Sequence, residues 1–139
     1  MFENKNFDTY DSNFEQKIKD EILYHKIVKI CQEGDQQAKI LLDNGVVLQF
    51  FGNEGCGGCS NGWFYLKDLL NNIPDNAITN VKLEAYYDSI GDCTFSIFIF
   101  CENEQLNLVS YSGHDNGYYG EGFSVVVRLE EKNEYWENF

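Results

Sequence analysis

The chain has 139 residues and carries 23 acidic against 10 basic side chains, a formal net charge of −13. This length is typical of one domain with its own core, and no apolar run approaches the roughly 20 residues that a membrane-spanning helix needs. The N-terminus is polar and unlike a signal peptide, so we expect a cytoplasmic protein. The negative charge disfavours direct binding to nucleic acid or anionic membranes.

The first 24 residues predict an arm followed by a helix. Residues 1–11 are polar and are expected to form a loose arm. Ser12 and Glu15 have the spacing of a capping box, in which both side chains bond to backbone amides at the helix start. The helix is predicted over about residues 12–24, and its apolar stripe is Phe14, Ile18 and Ile22.

After His25 the apolar residues alternate with a period of two, which is typical of strands. Three strands are predicted, at residues 27–33, 37–42 and 46–51. Asn44-Gly45 between the last two is the signature of a two-residue type I′ hairpin, which needs a positive φ at both positions. Together the three strands predict an antiparallel meander.

A glycine-rich stretch, Gly52–Gly62, interrupts this pattern and predicts an irregular loop. It contains Cys56 and Cys59. The following segment, Trp63–Asn72, has leucines at helical spacing, and Pro74 prevents the helix from continuing. We therefore predict a second, short helix here.

The second half of the chain is predicted to be strands. They lie at about residues 78–88, 92–102, 105–112 and 123–129. The strand from Asp92 is apolar on both faces, which favours an interior position in its sheet. The predicted fold class is α+β, a single domain over residues 1–139. It consists of a mostly antiparallel twisted β-sheet of about seven strands with an N-terminal helix and one short helix, and residues 131–139 form a second loose arm.

The cysteines allow three interpretations of the loop at 52–62. Two cysteines at the spacing of Cys56 and Cys59 can ligate one zinc ion, with His114 as a further ligand. They can also form a redox dithiol, or simply be small residues in a tight glycine turn. The last interpretation is favoured, so we expect no cofactor and no stoichiometric zinc. Cys31, Cys93 and Cys101 fall in strand patterns and are expected to be buried.

The turn Gly113–Gly122 contains His114, Asp115 and two adjacent tyrosines, Tyr118 and Tyr119. A His-Asp pair beside tyrosines can perform acid–base chemistry, but no nucleophile motif or phosphate loop accompanies it. We therefore predict that the protein is not an enzyme. The two tyrosines are candidate partner-binding residues, because tyrosine offers a large contact area at a small entropic cost.

The charge is uneven along the chain. Residues 1–83 carry 8 basic and 12 acidic side chains, whereas residues 84–139 carry 2 and 11. Such a surface either serves solubility alone or binds a basic partner protein. The candidate partner-binding carboxylates are Glu84, Asp88, Asp115, Glu121, Glu130, Glu131 and Glu134.

Three features of the sequence carry a resemblance to a known family. They are Asp43-Asn44-Gly45, the pair Cys56 and Cys59, and Asn116-Gly117-Tyr118-Tyr119. Over about residues 26–129 the chain resembles a family of small bacteriophage and prophage proteins with a mid-chain cysteine pair and an Asn-Gly-Tyr-Tyr motif near the end. In that family the cysteines are usually adjacent, whereas two glycines separate them here. The resemblance implies a phage or mobile-element context and no particular activity.

Three functions follow, in order of preference. The first is a non-enzymatic acidic inhibitor that mimics nucleic acid and, like anti-CRISPR proteins, occupies the basic surface of a host defence protein. The second is a protein that binds a small ligand or sequesters a nucleotide, for which cations to hold phosphates are scarce. The third is a zinc or dithiol protein.

Overall fold

The fold was determined as a computed structural model, which describes residues 4–33, 37–53, 62–66, 73–87, 92–102, 104–114 and 122–129. Within these ranges the chain forms one helix and nine strands. In chain order they are β1 (Lys5–Asp8), α1 (Phe14–Ile22), β2 (Ile27–Glu33), β3 (Gln37–Leu42), β4 (Val46–Gly52), β5 (Gly62–Tyr65), β6 (Asn80–Tyr87), β7 (Asp92–Cys101), β8 (Glu104–His114) and β9 (Phe123–Leu129). No helix in the described ranges is both long enough and apolar enough to cross a membrane.

The strands form two antiparallel sheets rather than the single sheet that was predicted. The first has the order β1-β9-β4-β3-β2 and the second the order β5-β8-β7-β6. The predicted meander is confirmed as β2-β3-β4. The interior position of β7, between β8 and β6, is also confirmed. Alternation along a strand indicates which residues share a face, but it does not indicate into how many sheets the strands divide.

The hairpin between β3 and β4 differs from the predicted type I′ turn. Gly45 has a φ of +83°, but Asn44 is not in the positive-φ region. The Gly45 N–H bonds to the Leu42 carbonyl at 3.1 Å, which closes a turn before the left-handed glycine. This is the three-residue arrangement in which a type I turn precedes a bulge residue.

The helix is shorter than predicted and begins differently. Its apolar stripe is confirmed, because Phe14, Ile18 and Ile22 are buried. The capping box is wrong: Asn13 occupies the N-cap and makes no side-chain cap bond. Instead, Glu15 Oε2 accepts a hydrogen bond from the backbone N–H of Leu83 on β6, at 2.8 Å.

Two strands lie where the sequence predicted other structure. Residues 63–65 belong to β5, which pairs with β8 through Phe64 and Tyr111, so the predicted second helix is wrong over this stretch, and residues 67–72 lie outside the described ranges. Lys5–Asp8, predicted as part of a loose arm, forms β1 and pairs with β9. The other predicted arm, residues 131–139, is outside the described part of the chain.

The two sheets face each other across an aromatic core. Phe123 on β9 of the first sheet lies 5.2 Å from Phe64 and 5.7 Å from Tyr111 of the second, measured between ring centroids. The ring centroid of Phe95 on β7 lies 6.0 Å from that of Phe123. The pairs of Phe123 with Phe64 and with Phe95 are edge-to-face, and such pairs contribute roughly 0.5–1.5 kcal/mol each beyond their burial. Cys93 and Cys101 are buried as predicted, whereas Cys31 is only partly buried.

Both open sides of the sandwich are bridged. On one side α1 packs between β6 and β1, and Phe14 makes an edge-to-face contact with Phe7 of β1 at 5.6 Å. On the other side Gln32 Nε2 of β2 donates to the Phe64 carbonyl of β5 at 2.8 Å. The two sheets are therefore joined along each edge.

Candidate functional site

Most of the residues proposed from the sequence for partner binding lie outside the described ranges. These are Asp88, Asp115, Tyr118, Tyr119, Glu121, Glu130, Glu131 and Glu134. Glu84 is described: it lies on β6 with an exposed side chain, and its Oε1 is 3.1 Å from Lys82 Nζ. An exposed ion pair of this kind contributes roughly 0–1 kcal/mol, and it partly neutralises the charge that a partner would meet.

The proposed metal ligands are likewise not brought together in what is described. Cys56 and Cys59 lie outside the described ranges, and so does the side chain of His114. The strands that flank these segments do meet: Gly62 pairs with Gly113, and Gly52 pairs with Phe123. Within the described residues there is no group of three or more His, Cys, Asp or Glu side chains that could hold a metal ion.

An acidic cleft lies where the segment before β6 meets the turn between β7 and β8. It encloses about 410 Å³. Its described lining residues are Ile73, Pro74, Asp75, Asn76, Cys101, Glu102 and Glu104. The three carboxylates are exposed, and none of these lining residues is basic. We refer to Asp75, Glu102 and Glu104 with their surroundings as the acidic cleft.

Glu102 holds an unusual backbone conformation at the rim of this cleft. Its φ is +56°, in the left-handed region, which costs a non-glycine residue roughly 1–2 kcal/mol. The turn requires it, because Cys101 pairs with Glu104 and leaves only two residues to reverse the chain. Asn76 Nδ2 donates to Glu102 Oε2 at 2.6 Å. The carboxylate is therefore fixed in position at the mouth of the cleft.

The opposite wall of the cleft is anchored to the body of the protein. Ile78 exchanges two backbone hydrogen bonds with the loop after α1, one from Tyr24 at 2.7 Å and one to His25 at 3.0 Å. Thr79 bonds to the Phe100 carbonyl through both its N–H and its hydroxyl. Because Ile78 is also fully buried, the segment that carries Asp75 and Asn76 is anchored at its C-terminal end.

His25, whose backbone carbonyl accepts from Ile78, contacts the β3–β4 turn through its side chain. Its Nδ1 lies 3.0 Å from Asp43 Oδ1 and its Nε2 lies 3.4 Å from Asn44 Nδ2. Both ring nitrogens are thus engaged in holding the β3–β4 turn, which gives this histidine a positioning role.

The chemistry of the cleft favours cations. Burial raises the pKa of the Cys101 thiol, and the charge of Glu104 raises it further, so this cysteine is a poor nucleophile at neutral pH. Carboxylates that line a concave surface attract lysine and arginine side chains and repel phosphates. The cleft therefore suits a cationic group.

The sequence interpretation did not select the cleft residues, although two signals were present. Pro74-Asp75-Asn76 is a turn-forming triplet. Glu102-Asn103 is a two-residue connection between the strongly apolar strand β7 and the alternating strand β8. Each signal predicts only a turn. That the two turns lie side by side depends on β6 pairing with β7, which places Asn80 opposite Phe100.

The fold and site define an antiparallel β-sandwich with an acidic cleft at one end. The chain belongs to a family described as a domain of unknown function (DUF7448), which matches residues 20–125. The match includes the acidic cleft and excludes β1. A comparison with curated proteins finds no match, and a comparison with solved structures finds none either.

Proposed function

We propose that the protein is a non-enzymatic accessory protein of a phage or another mobile element. Its acidic surface binds a basic surface of a host defence protein, at a site where that partner would otherwise hold nucleic acid. The partner is a protein, and neither nucleic acid nor membrane is bound directly. The protein acts in the cytoplasm of the host cell.

The observation that carries this proposal is the acidic cleft. Its three carboxylates face a concave space, and no cation stands among the described residues that line it. By contrast, Glu84 and Glu21, elsewhere on the protein, each pair with a lysine of the same chain. Cleft carboxylates therefore keep their charge available for a partner, and the net charge of −13 adds a long-range field that steers a basic protein towards it.

The cleft gives no support to the alternative of a nucleotide-binding protein. A nucleotide brings phosphates, which need lysine, arginine or helix N-termini. Asp75, Glu102 and Glu104 would repel them. A basic side chain, in contrast, would gain two or three charge-assisted hydrogen bonds in the same space.

A charge-reversal experiment tests the proposal. The partner is first captured from a host lysate with its defence systems intact, then identified and purified. Its affinity is measured for the parent protein, for Asp75→Lys/Glu104→Lys, and for the control Asp20→Lys/Glu84→Lys, which changes the net charge equally outside the cleft. We expect the cleft variant to lose about tenfold or more in affinity, mainly through slower association.

The control should lose much less. If both variants lose affinity equally, the total charge and not the cleft determines binding. If neither variant loses affinity, the proposal that the acidic surface binds the partner is wrong. Circular dichroism of both variants confirms that each is folded, and both pairs of residues are exposed, so folding should survive.

A further inference from the structure

The outer face of the second sheet is almost free of charge. Alternation places every second residue of β6, β7 and β8 on this face, because core residues such as Val81, Ile97 and Tyr111 stand between them. The side chains that the structure describes on it are Asn80, Lys82, Glu84, Tyr86, Thr94, Ser96, Phe98, Phe100, Gln105, Asn107, Ser110 and Ser112. Of these, only Lys82 and Glu84 are charged, and their charges cancel, in a chain whose net charge is −13. We refer to this set as the neutral face.

The neutral face has a raised half and a recessed half. Along β7 and β8 the large side chains lie at one end, and they are Phe98, Phe100, Gln105 and Asn107. The small ones lie at the other end, and they are Thr94, Ser96, Ser110 and Ser112. Hydrogen bonds hold the boundary between the halves: Asn107 Nδ2 donates to Ser110 Oγ at 2.6 Å, and the hydroxyls of Ser96 and Ser110 are 3.2 Å apart. The face therefore has a fixed step across its middle.

A step of this kind fits a second copy of the same face turned end for end. Packed sheets keep their strands nearly aligned and lie about 10 Å apart. Consider a twofold axis that lies between two copies and crosses β7 at right angles between Ser96 and Phe98. It lays each raised half on the recessed half of the other copy, with Phe98 opposite Ser96 of the partner subunit and Phe100 opposite Thr94 of the partner subunit. Large side chains then meet small ones across the whole contact, as close packing requires.

The charges of the neutral face agree with the same axis. In the sheet, Lys82 pairs with Phe98 and Glu84 with Ser96, so the axis also crosses β6 between Lys82 and Glu84. Within one chain Lys82 Nζ lies 3.1 Å from Glu84 Oε1. In the pair of copies Lys82 additionally faces Glu84 of the partner subunit, so the four charges alternate in sign. Two molecules that each carry −13 thus meet on a face where the opposing groups do not repel.

We propose that the protein forms a symmetric dimer through its neutral face. Three strands and eight residues along each give this face about 14 Å by about 27 Å, or about 380 Å² in projection. A standard interface covers roughly 800 Å² of accessible surface on each partner, so the dimer is weak and forms at high protein concentration. The inference does not depend on the proposed function, because it uses none of the carboxylates of the acidic cleft.

The dependence of this dimer on salt is opposite to that of binding to a basic partner. The total charge of the two molecules opposes their association, and salt screens that repulsion. Contacts between uncharged side chains are not screened. Sedimentation equilibrium of the full chain, from about 10 µM to about 1 mM protein and at about 0.1 M and about 1 M salt, measures the effect. We expect a monomer–dimer equilibrium whose association constant rises several-fold with salt.

A charge exchange identifies the surface. Lys82→Glu alone, or Glu84→Lys alone, sets like charges opposite one another, and each variant should associate about tenfold more weakly than the parent at low salt. An equimolar mixture of the two variants should associate as well as the parent, because each copy then presents the charge opposite to that of the other. The control Lys26→Glu changes the net charge as Lys82→Glu does, at an exposed position outside the neutral face, and it should weaken the dimer much less.

The side chains of Lys82 and Glu84 are 57% and 54% exposed, so both variants should fold, and circular dichroism checks this. A parent protein that stays monomeric at the highest concentration in both salts would overturn the dimer, and the neutral face would then suit a different uncharged partner, such as a saccharide. Dimerisation through this face is also overturned if the parent dimerises but the mixture associates no better than each variant alone.

Discussion

Glu15 on α1 accepts a hydrogen bond from the backbone N–H of Leu83, 68 residues further along the chain, at 2.8 Å. Leu83 lies on β6, which is the edge strand of the second sheet. An edge strand presents backbone groups without a strand partner, and this carboxylate satisfies one of them. The contact fixes the helix across the side of the sandwich, between β6 and β1.

Loss of this contact should destabilise the protein, whereas loss of the predicted capping residue should not. We expect Glu15→Ala to lower the free energy of unfolding by about 1–2 kcal/mol, since a bond to a charged group is lost and the side chain is partly exposed. Ser12→Ala should change it by less than about 0.5 kcal/mol, because Ser12 is exposed and Asn13, not Ser12, occupies the N-cap. Urea unfolding of both variants measures the difference. Equal effects would contradict this account of the helix.

The elements that were predicted correctly are those whose own residues carry a recognisable apolar pattern. The strands β2 to β4 and β6 to β9 carry apolar patterns of their own, alternating or, in β7, apolar on both faces, so their positions were predicted within a few residues. β1 contains one buried apolar residue, Phe7, and its strand conformation comes from pairing with β9. β5 was misassigned, because the leucines that follow Phe64 have helical spacing and the pairing of β5 with distant β8 has no local signal.

The acidic cleft was missed for the same reason. Asp75 and Glu102 are 27 positions apart in the sequence, and each stands in a turn whose local pattern indicates nothing about charge recognition. The pairing of β6 with β7 brings the turns together. Two of the three cleft carboxylates, Glu102 and Glu104, fall in the more acidic second half of the chain, but neither was among the candidate partner-binding carboxylates.

Gly122, just before β9, lies close to Thr9 of the N-terminal segment. Gly45 also has a positive φ but no close neighbour, so it serves as the control. Gly122 has a φ of +77°, and a Cβ there would lie 2.3 Å from Thr9 Oγ1, whereas a Cβ on Gly45 at φ +83° meets nothing within 4 Å. We expect Gly45→Ala to lower the free energy of unfolding by about 1–2 kcal/mol. Gly122→Ala should lower it by at least about 1 kcal/mol more, since Thr9 must also move. Thermal unfolding showing equal losses would refute the close contact.

Replacing Glu102 or Glu104 with glycine should change stability in opposite directions but weaken partner binding in both cases. Glu102→Gly removes a strained left-handed residue and should raise the free energy of unfolding by about 0.5–1 kcal/mol. Glu104→Gly, within β8, should lower it by about the same amount. Both variants remove one carboxylate from the acidic cleft, so both should weaken binding of a basic partner. If denaturant unfolding shifts in the same direction for both, the strain assigned to Glu102 is wrong.

Asp11 should make stability depend on pH in the acid range. Its carboxylate accepts from the backbone N–H of Asp8 and lies 3.3 Å from Lys17 Nζ, and these contacts hold its pKa below the ordinary 3.8. Because the pKa is lower in the folded state, the stabilisation is complete above the ordinary value and is lost as pH falls through the folded value. Asp11→Asn should therefore lower the melting temperature at neutral pH, and the difference from the parent should shrink in strong acid. A difference that stays constant with pH would contradict this assignment.

The ionic-strength dependence of association with the captured partner tests the central claim most directly. The Debye length falls from about 10 Å at 0.1 M salt to about 3 Å at 1 M, so a field of carboxylates loses its reach over this range. We predict that the association rate constant of the parent protein falls steeply with salt, and that Asp75→Lys/Glu104→Lys flattens the dependence more than Asp20→Lys/Glu84→Lys does. An association rate that is the same at low and high salt for the parent and both variants would contradict the claim that the acidic surface binds the partner.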